Sequence, residues 1–389
     1  MKSLQNERAL ALEENVEGMY MKVKAWKLLG LMFTVIFALS AVRVVYAIGV
    51  VATINVQSGP QGVAYDYGKN EIFATNEESG TVSVISDSNN TVVKNVTVGS
   101  SPFWLAYDSG KGEIFVSNEG SGTVSVISDS TYTVVANVTL GAGRTSSPTG
   151  IVYDSGTGEI FVADSDLSKV WVISDINNTV VANVTVGGGP FGVAYDSGKN
   201  EIFVANYASG WISVISDKND TVVQNVTVQI PPEGYGDVWG DAYDSVKGEI
   251  FVANCLSSNV AVISDTTDAV LTTVSVGSYP TGVAYDNGTG EIFVGDRNGH
   301  EISVISDYNN TVVATVPLGS KADPCGLAYD YGKSEIFATT GGLNTVVVIS
   351  DSTSVPEFGS AALFMVMVFA ISAVILASKK LKRPRSCSF

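Results

Sequence analysis

Short apolar segments rich in Val, Ile and Phe alternate with turns made of Asp, Asn, Ser and Gly through most of the chain. One copy of the pattern predicts four strands, at Leu105–Tyr107, Glu113–Ser117, Thr123–Ile127 and Thr133–Leu140. The two middle strands are apolar almost throughout, which is typical of a sheet that is covered on both faces. The pattern therefore predicts an all-β protein.

This four-strand unit occurs seven times. The tripeptide Glu-Ile-Phe recurs at spacings of 42, 46, 42, 48, 42 and 44 residues, always six residues after a Tyr-Asp pair and fourteen before Ile-Ser-Asp. It begins at Glu71, Glu113, Glu159, Glu201, Glu249, Glu291 and Glu335. A repeat of about 40–45 residues with four strands is the pattern of a β-propeller blade. The sequence predicts a seven-bladed β-propeller over residues 48–352.

The two ends of the repeat region predict how the ring closes. The seventh copy has only three strands, Gly326–Tyr329, Glu335–Thr339 and Thr345–Ile349. An outer strand without a unit of its own, Val50–Val56, stands before the first copy and matches Val312–Leu318 of the sixth. We expect this strand to complete the last blade and so remove exposed sheet edges. An open solenoid is the weaker alternative, because it needs polar caps that the sequence lacks.

The segments outside the repeats predict export. Lys22, Lys24 and Lys27 precede the apolar run Leu28–Val42, the pattern of a secretory signal peptide over residues 1–47. Translation then starts at either Met1 or Met21. The alternative to a signal peptide is an N-terminal anchor that is not cleaved.

The other end of the chain predicts an anchor. A linker at 353–360 precedes the uncharged run Ala361–Ala377, and five basic residues follow it in 379–389. The run predicts a transmembrane helix at 361–378 with a cytoplasmic basic tail. The propeller would then lie at the cell surface, outside the cytoplasmic membrane.

Charge and cysteine content exclude several classes of protein. The formal net charge is −17, and residues 48–355 hold 11 basic against 34 acidic side chains. Such a surface repels phosphate backbones, which excludes nucleic acid as the main partner. Three cysteines, Cys255, Cys325 and Cys387, are too few for a disulfide framework or a cysteine-based zinc site.

The repeat as a whole is similar to a known family. The series Gly-Val-Ala-Tyr-Asp, Glu-Ile-Phe-Val-Ala-Asn, Ser-Val-Ile-Ser-Asp and Thr-Val-Val-Ala-Asn-Val-Thr-Val-Gly resembles the YVTN-type propeller repeat of archaeal and bacterial surface proteins. This resemblance implies a seven-bladed ring, often in a surface layer, and no single activity. Separately, Val355–Gly359 with the apolar and basic segments after it resembles the PEFG-type C-terminal sorting signals of archaeal surface proteins, in which the tail can be removed.

Insertions between repeats locate a variable face. All the extra residues fall in the loops Gly141–Pro148, Gln229–Trp239 and Gly319–Pro324, between an outer strand and the next inner one. Rigid scaffolds usually carry function on such loops. The predicted ligand-binding residues are the departures from consensus on this face: Arg144, Tyr235, Trp239, Arg297 and His300. Ordinary drift of loop sequence is the alternative. His300 is the one histidine of the chain, so a two-histidine site is excluded.

Two further sets of polar residues recur with the repeats. The acids of Tyr-Asp, Glu-Ile-Phe and Ile-Ser-Asp are expected to cap turns, with structural Ca²⁺ as the alternative. No other cofactor and no catalytic or metal-binding residue is predicted. Nine Asn-x-Ser/Thr sequences are candidate glycosylation sites, eight of them on the outer strand or its hairpin. They are Asn89, Asn95, Asn137, Asn177, Asn183, Asn219, Asn225, Asn287 and Asn309.

These features predict a non-enzymatic surface propeller that serves in surface-layer structure, adhesion or ligand binding. Its expected partners are the membrane, other cell-envelope proteins and extracellular glycans. The alternative is an extracellular metal-dependent enzyme, lactonase-like or lyase-like, that acts in the central channel. Carboxylates, amides and a histidine converging on the central opening of the variable face would favour the enzyme, and turn-capping acids alone would favour the scaffold.

Overall fold

The computed structural model describes residues 48–141, 146–228 and 238–350. They form 28 strands and a 3₁₀ turn, Gly341–Leu343. The strands build seven antiparallel four-stranded sheets, and each sheet is one blade. The fold class predicted from the sequence, an all-β seven-bladed propeller, is confirmed.

The strands are numbered in chain order. The first half comprises β1 (Gly49–Asn55), β2 (Pro60–Asp66), β3 (Glu71–Asn76), β4 (Thr81–Ser86), β5 (Thr91–Thr97), β6 (Pro102–Asp108), β7 (Glu113–Asn118), β8 (Thr123–Ser128), β9 (Thr133–Thr139), β10 (Pro148–Asp154), β11 (Glu159–Asp164), β12 (Lys169–Ser174), β13 (Thr179–Thr185) and β14 (Pro190–Asp196). The second half comprises β15 (Glu201–Asn206), β16 (Trp211–Ser216), β17 (Thr221–Thr227), β18 (Val238–Asp244), β19 (Glu249–Asn254), β20 (Asn259–Ser264), β21 (Ala269–Ser275), β22 (Pro280–Asp286), β23 (Glu291–Asp296), β24 (Glu301–Ser306), β25 (Thr311–Pro317), β26 (Pro324–Asp330), β27 (Glu335–Thr340) and β28 (Thr345–Ser350).

The ring closes as predicted. Blades 1 to 6 each use four consecutive strands, starting at β2, whereas blade 7 has the order β1-β28-β27-β26. The first strand pairs antiparallel with the last, with Gly49 opposite Ser350 and Asn55 opposite Thr345. Ile54 of β1 is 4 % exposed and packs in a cluster with Phe337 of blade 7. The two ends of the repeat region are therefore joined within one sheet.

The hydrophobic core lies between neighbouring blades. The phenylalanine of every Glu-Ile-Phe is fully buried. Phe73 of blade 1, for example, packs in one cluster with Leu105, Ile114 and Val116 of blade 2. The middle strands are buried along nearly their whole length, and the outer strands bury mainly one residue each. Strands covered on both faces read as continuous apolar runs, which explains the sequence pattern.

The repeated aspartates shape the turns. Oδ1 of Asp66 accepts hydrogen bonds from the backbone N–H groups of Gly68, at 2.8 Å, and Lys69, at 3.2 Å. The aspartate of each other Tyr-Asp pair likewise accepts a bond from the N–H two residues later. This is the turn-capping role expected for them.

Alternation of strand direction divides the loops between two faces. The loops that join the second and third strands share one face with the loops between blades, and we call it the upper face. The lower face carries the turns after the first and third strands. Among residues 48–141, 146–228 and 238–350, no helix is long and apolar enough to cross a membrane. The predicted signal peptide and transmembrane helix lie outside these described residues.

Candidate functional site

A bulge at the start of each inner strand takes two residues out of the hydrogen-bonded ladder. In β18, Val238 pairs with Asn254, and the ladder resumes only where Asp241 meets Val252. Bulges re-aim side chains in this way. The two residues between, Trp239 and Gly240, therefore leave the ladder and line the channel. The same register shift occurs in the other six blades.

Glycine at the second bulged position lets the blades approach closely. A Cβ atom on Gly282 would overlap the carbonyl oxygen of Cys325 in the next blade, well inside the 3.0 Å that real Cβ atoms keep. The corresponding glycines of five other blades meet a neighbouring backbone in the same way: Gly62, Gly150, Gly192, Gly240 and Gly326. Blade 2 has Trp104 at this position, and nothing in the structure explains why it is tolerated.

Hydroxyl groups bridge five of the seven junctions between blades. Their oxygens donate to a carbonyl of the next inner strand: Thr75 to Phe103 (2.8 Å), Ser117 to Thr149 (2.6 Å), Thr149 to Pro190 (3.1 Å), Thr281 to Pro324 (3.0 Å) and Thr339 to Gln61 (2.5 Å). The hydroxyl comes from the second strand in three blades and from the inner strand in blades 3 and 6. Blades 4 and 5 have a hydroxyl at neither position, since Ala205 and Ala253 stand on their second strands. Blade 5 is therefore joined to both neighbours without this hydroxyl.

Aromatic rings take the place of the missing hydroxyls. Phe191 and Trp239 stand at the first bulged positions of blades 4 and 5, with ring centroids 4.2 Å apart. Phe103 contacts Phe191 at 5.3 Å, and Tyr207 and Tyr279 contact Trp239 at 5.9 and 6.0 Å. We call these five residues the aromatic mouth. It offers large apolar contact area and π faces at the upper end of the channel.

One carboxylate lies in the channel below this mouth. The fourth inner-strand residue is apolar in six blades and is Asp241 in blade 5. Both oxygens of Asp241 are inaccessible to solvent, and neither has a hydrogen-bond partner in the part of the chain that the structure describes. Oδ1 lies against Gly192 of blade 4, where a Cβ atom would be only 2.7 Å away. The buried indole N–H of Trp239 also has no partner.

Burial changes the acidity of this group. Loss of solvation raises the pKa of Asp241 well above its ordinary value, and only its own backbone N–H opposes the shift. The surrounding wall is apolar or aromatic, with Phe191 and Val193 on one side and Val283 and Leu327 on the other. Buried polar groups without partners are rare in folded proteins, and they mark sites of strain, catalysis or an absent ligand.

Asp241 lies between two cavities. The upper cavity has a volume of about 60 Å³ and also touches Trp104, Phe191 and Trp239. This is room for roughly four water molecules. The lower cavity is wider, about 410 Å³, and tyrosines of the Tyr-Asp pairs line it. Asp241 is thus part of the lining of both cavities.

The structure brings two of the predicted ligand-binding residues together. Trp239 lies on β18 rather than in the loop where the sequence placed it, and it contacts Tyr279. The backbone N–H of Arg297 donates to the carbonyl of Tyr279 at 3.0 Å. Burial raises the pKa of Tyr279 to about 12, and the positive charge of Arg297 opposes the shift. Arg297 therefore lies beside the aromatic mouth.

The other predicted residues lie elsewhere. His300 is on the same upper-face turn as Arg297, and its Nδ1 is 3.1 Å from Oδ1 of Asp323. Arg144 and Tyr235 lie outside the described residues. Cys325 is buried in the inner strand β26, and like Cys255 it forms no disulfide.

The repeated acids of the lower face join the blades. Lys69 of blade 1 lies 3.3 Å from Asp129 of blade 2, and similar pairs link other blades. Among the described residues, one group has metal-binding geometry: Asp87, Asp330 and Glu335, between blades 7 and 1. Lys333 lies 2.9 Å from Asp87 and supplies positive charge there. This group is at the lower face and not in the channel.

All nine predicted glycosylation asparagines are exposed. In the hairpin sequons the threonine hydroxyl donates to its own asparagine, as Thr91 does to Asn89 at 2.7 Å. Addition of sugar to them stays a prediction.

Sequence reasoning missed Asp241 and most of the aromatic mouth. A signal was present, since alignment of the seven inner strands shows one carboxylate in a column of Val, Leu and Ile. Phe103 and Phe191 gave no comparable signal, because apolar residues are expected in strands.

We expect Asp241→Val to stabilise the protein by about 1–3 kcal/mol at pH 7, because an unpaired buried polar group is removed. Blades 1, 4 and 6 already have valine there. The raised pKa means that the native state holds the proton more tightly than the unfolded chain. Wild-type stability thus falls as the pH rises from about 4 to the native pKa, and the advantage of valine grows over this range.

Urea denaturation at several pH values measures this effect. Asp241→Asn is the matched control, since it keeps the polar burial and removes the titration. A valine variant less stable than the wild type at pH 7 would show that the carboxylate has partners in solution.

Comparisons with known proteins agree with the fold. The model of the NHL repeat matches residues 278–305, in blade 6. The structure resembles that of Kuenenia stuttgartiensis hydrazine synthase, with 18 % identity, a TM-score of 0.65, and coverage of 76 % of this chain and 96 % of that one. It also resembles selenomethionine-substituted virginiamycin B lyase from Staphylococcus aureus, with 15 % identity, a TM-score of 0.66, and coverage of 77 % and 98 %. No curated protein sequence matches.

These comparisons correct one prediction. The sequence reading that the chain is not an enzyme is contradicted, because both of these structures belong to enzymes. At 18 % and 15 % identity the likeness shows the fold alone, and neither reaction is transferred to this chain. The uniformity of the repeats and the single histidine misled the interpretation, since one altered position in one blade is enough to place a carboxylate in the channel.

Proposed function

We propose that this chain is an exported, cell-surface propeller that binds a small ligand at the aromatic mouth of its central channel. The observation that carries the proposal is the aromatic mouth itself, above a buried carboxylate that has no partner. Ligand sites in proteins are typically concave, mostly apolar and equipped with a few polar groups. The upper part of this channel has all three properties.

Specialisation of blades 4 and 5 supports binding at this place. Five junctions keep a bridging hydroxyl, and the two around blade 5 replace it with Phe191 and Trp239. If the junctions served only to stabilise the ring, a bridging hydrogen bond would be favourable at all seven of them. The exchange of hydrogen bonds for exposed π surface favours a ligand.

Binding is tested with the variant Trp239→Thr. Blades 3 and 6 have threonine at this position, so the fold should tolerate it. We expect at least about tenfold weaker binding of any small molecule that occupies the mouth, because stacking on the indole is lost. Titrations followed by intrinsic fluorescence or calorimetry, over a panel of ammonium ions, polyols and monosaccharides, measure the change.

The control is Trp211→Thr. Trp211 starts β16 and lies outside the channel wall, and three other blades have threonine at its position. A ligand that keeps its affinity in Trp239→Thr and loses it in Trp211→Thr would contradict binding at the mouth.

The surface location rests on the sequence. The signal-peptide pattern, the apolar segment at 361–378 and the resemblances to YVTN and PEFG proteins support export and anchoring. Exposure of all nine sequons is compatible with glycosylation. Envelope proteins and extracellular glycans are the proposed partners. Mass spectrometry of the native protein is the test, and an intact residue 1 with unmodified asparagines would contradict export.

Catalysis in the same channel is the second candidate function. Asp241 favours it, because buried carboxylates with a raised pKa are often the groups that donate or accept a proton in catalysis. In that case Asp241→Asn would abolish turnover while a ligand still bound at the aromatic mouth. A reaction rate unchanged in Asp241→Asn would contradict this role.

A further inference from the structure

We propose that the ligand of the upper cavity is a small organic ammonium ion, whose charged group pairs with Asp241 beneath the aromatic mouth. This inference rests on the proposed function and names its ligand class.

The first argument is the carboxylate. Asp241 has two buried oxygens without partners, and no arginine or lysine of residues 48–141, 146–228 and 238–350 lines the cavity. A buried charge is normally paired. An ammonium group has several N–H donors and no acceptor, so it can satisfy both oxygens.

The second argument is the aromatic wall. Phe191 and Trp239 lie in contact with each other and line the same cavity as Asp241. The negative π faces of such rings attract cations, and most strongly where water is excluded. A neutral ligand would use their apolar area alone.

The third argument is the field of the whole ring. Residues 48–355 hold 34 acidic and 11 basic side chains. A surplus of this sign raises the local concentration of cations and repels anions. Anionic ligands are thus disfavoured on approach and again at Asp241.

The size of the cavity limits the ion. About 60 Å³ accommodates a few non-hydrogen atoms. The indole N–H of Trp239, also without a partner, would donate to a hydroxyl on the ligand. A short amino alcohol combines the two features.

Proton release follows from the pairing. Burial favours the protonated form of Asp241 when the site is empty. Among the described residues no other titratable side chain lines the upper cavity, and tyrosines of the inner strands line the lower one. An entering ammonium ion favours the carboxylate, which then gives its proton to the buffer. Affinity should rise up to about tenfold per pH unit below the native pKa of Asp241 and level off above it.

The experiment compares 2-aminoethanol with ethylene glycol, in which a hydroxyl replaces the ammonium group. Calorimetric titrations of the full chain at constant ionic strength, in two buffers of different ionisation enthalpy, give both affinity and proton release. At pH 7 we expect the amine to bind at least about tenfold more tightly, with up to one proton released.

Variants complete the test. Asp241→Asn and Asp241→Val should each reduce the preference for the amine at least about tenfold and stop the proton release. Asp166→Asn, at an exposed upper-face carboxylate, should change neither. A second variant at position 241 guards against misfolding, because valine stands there in blades 1, 4 and 6.

Three results would overturn the inference. They are equal binding of amine and glycol, an amine preference that survives in both Asp241 variants, and no binding of the amine. If a neutral molecule binds and its binding depends on Trp239, the ligand is not an ammonium ion, but binding at the aromatic mouth is still supported. Loss of Trp239 dependence for every member of the panel would refute the proposed function itself.

Discussion

Gly282→Ala is expected to destabilise the propeller by about 3 kcal/mol or more. The added Cβ would overlap the carbonyl oxygen of Cys325 in blade 7, and the obstacle is backbone, which cannot rotate away. Either the inner strands of blades 6 and 7 move apart or the strain is kept, and both disturb the packing around the channel. Urea denaturation followed by circular dichroism measures the loss.

The matched control is Gly49→Ala. A Cβ atom there would meet nothing within 4 Å. Its effect should stay within about 0.5 kcal/mol. Equal effects of the two substitutions would show that the inner strands can separate at no cost, and the close-packed ring described above would then be wrong.

Ile54→Asp is expected to cost about 4 kcal/mol or more, and to unfold part of the molecules at room temperature. Ile54 is the buried residue of β1 and packs between blades 7 and 1. A carboxylate there either loses its solvation or forces β1 off β28. Because this pairing closes the ring, its loss exposes a sheet edge.

Thr53→Asp is the control for this substitution. Thr53 is the preceding residue of β1 and is exposed, so its replacement should change the free energy of unfolding by less than about 0.5 kcal/mol. Denaturant titrations of both variants, together with light scattering to detect association through the freed edge of β28, measure the contrast. An Ile54 variant as stable as the wild type would mean that β1 does not hold the ring together.

The sequence predicted the architecture because the information was repeated. Seven identical offsets between Tyr-Asp, Glu-Ile-Phe and Ile-Ser-Asp fixed strand number and turn positions, and the strand at Val50–Val56 had one open place to fill. The inner strands were predicted too short, since in the copy with Leu105–Tyr107 the bulge after Pro102 interrupts regular alternation.

The candidate site was harder to predict for the opposite reason. Trp239 was selected as a departure from consensus, but the structure places it in the channel wall rather than in a loop. Asp241 is a single substitution at a position that is apolar in the other six blades. Its chemical role depends on its burial among side chains from other blades, which the spacing of the sequence does not show. The aromatic mouth combines residues from blades 2, 4, 5 and the loop before blade 6, which are distant along the chain.

Because β1 closes the ring, both ends of the propeller lie on the same face. Gly49 and Ser350 face each other where β1 begins and β28 ends, on the lower face of a single blade. The aromatic mouth opens on the opposite face. A linker or affinity tag joined at either end of the propeller would therefore be attached at the lower face. Protein immobilised on a sensor chip through such a tag would keep the upper entrance of its channel accessible to the analyte.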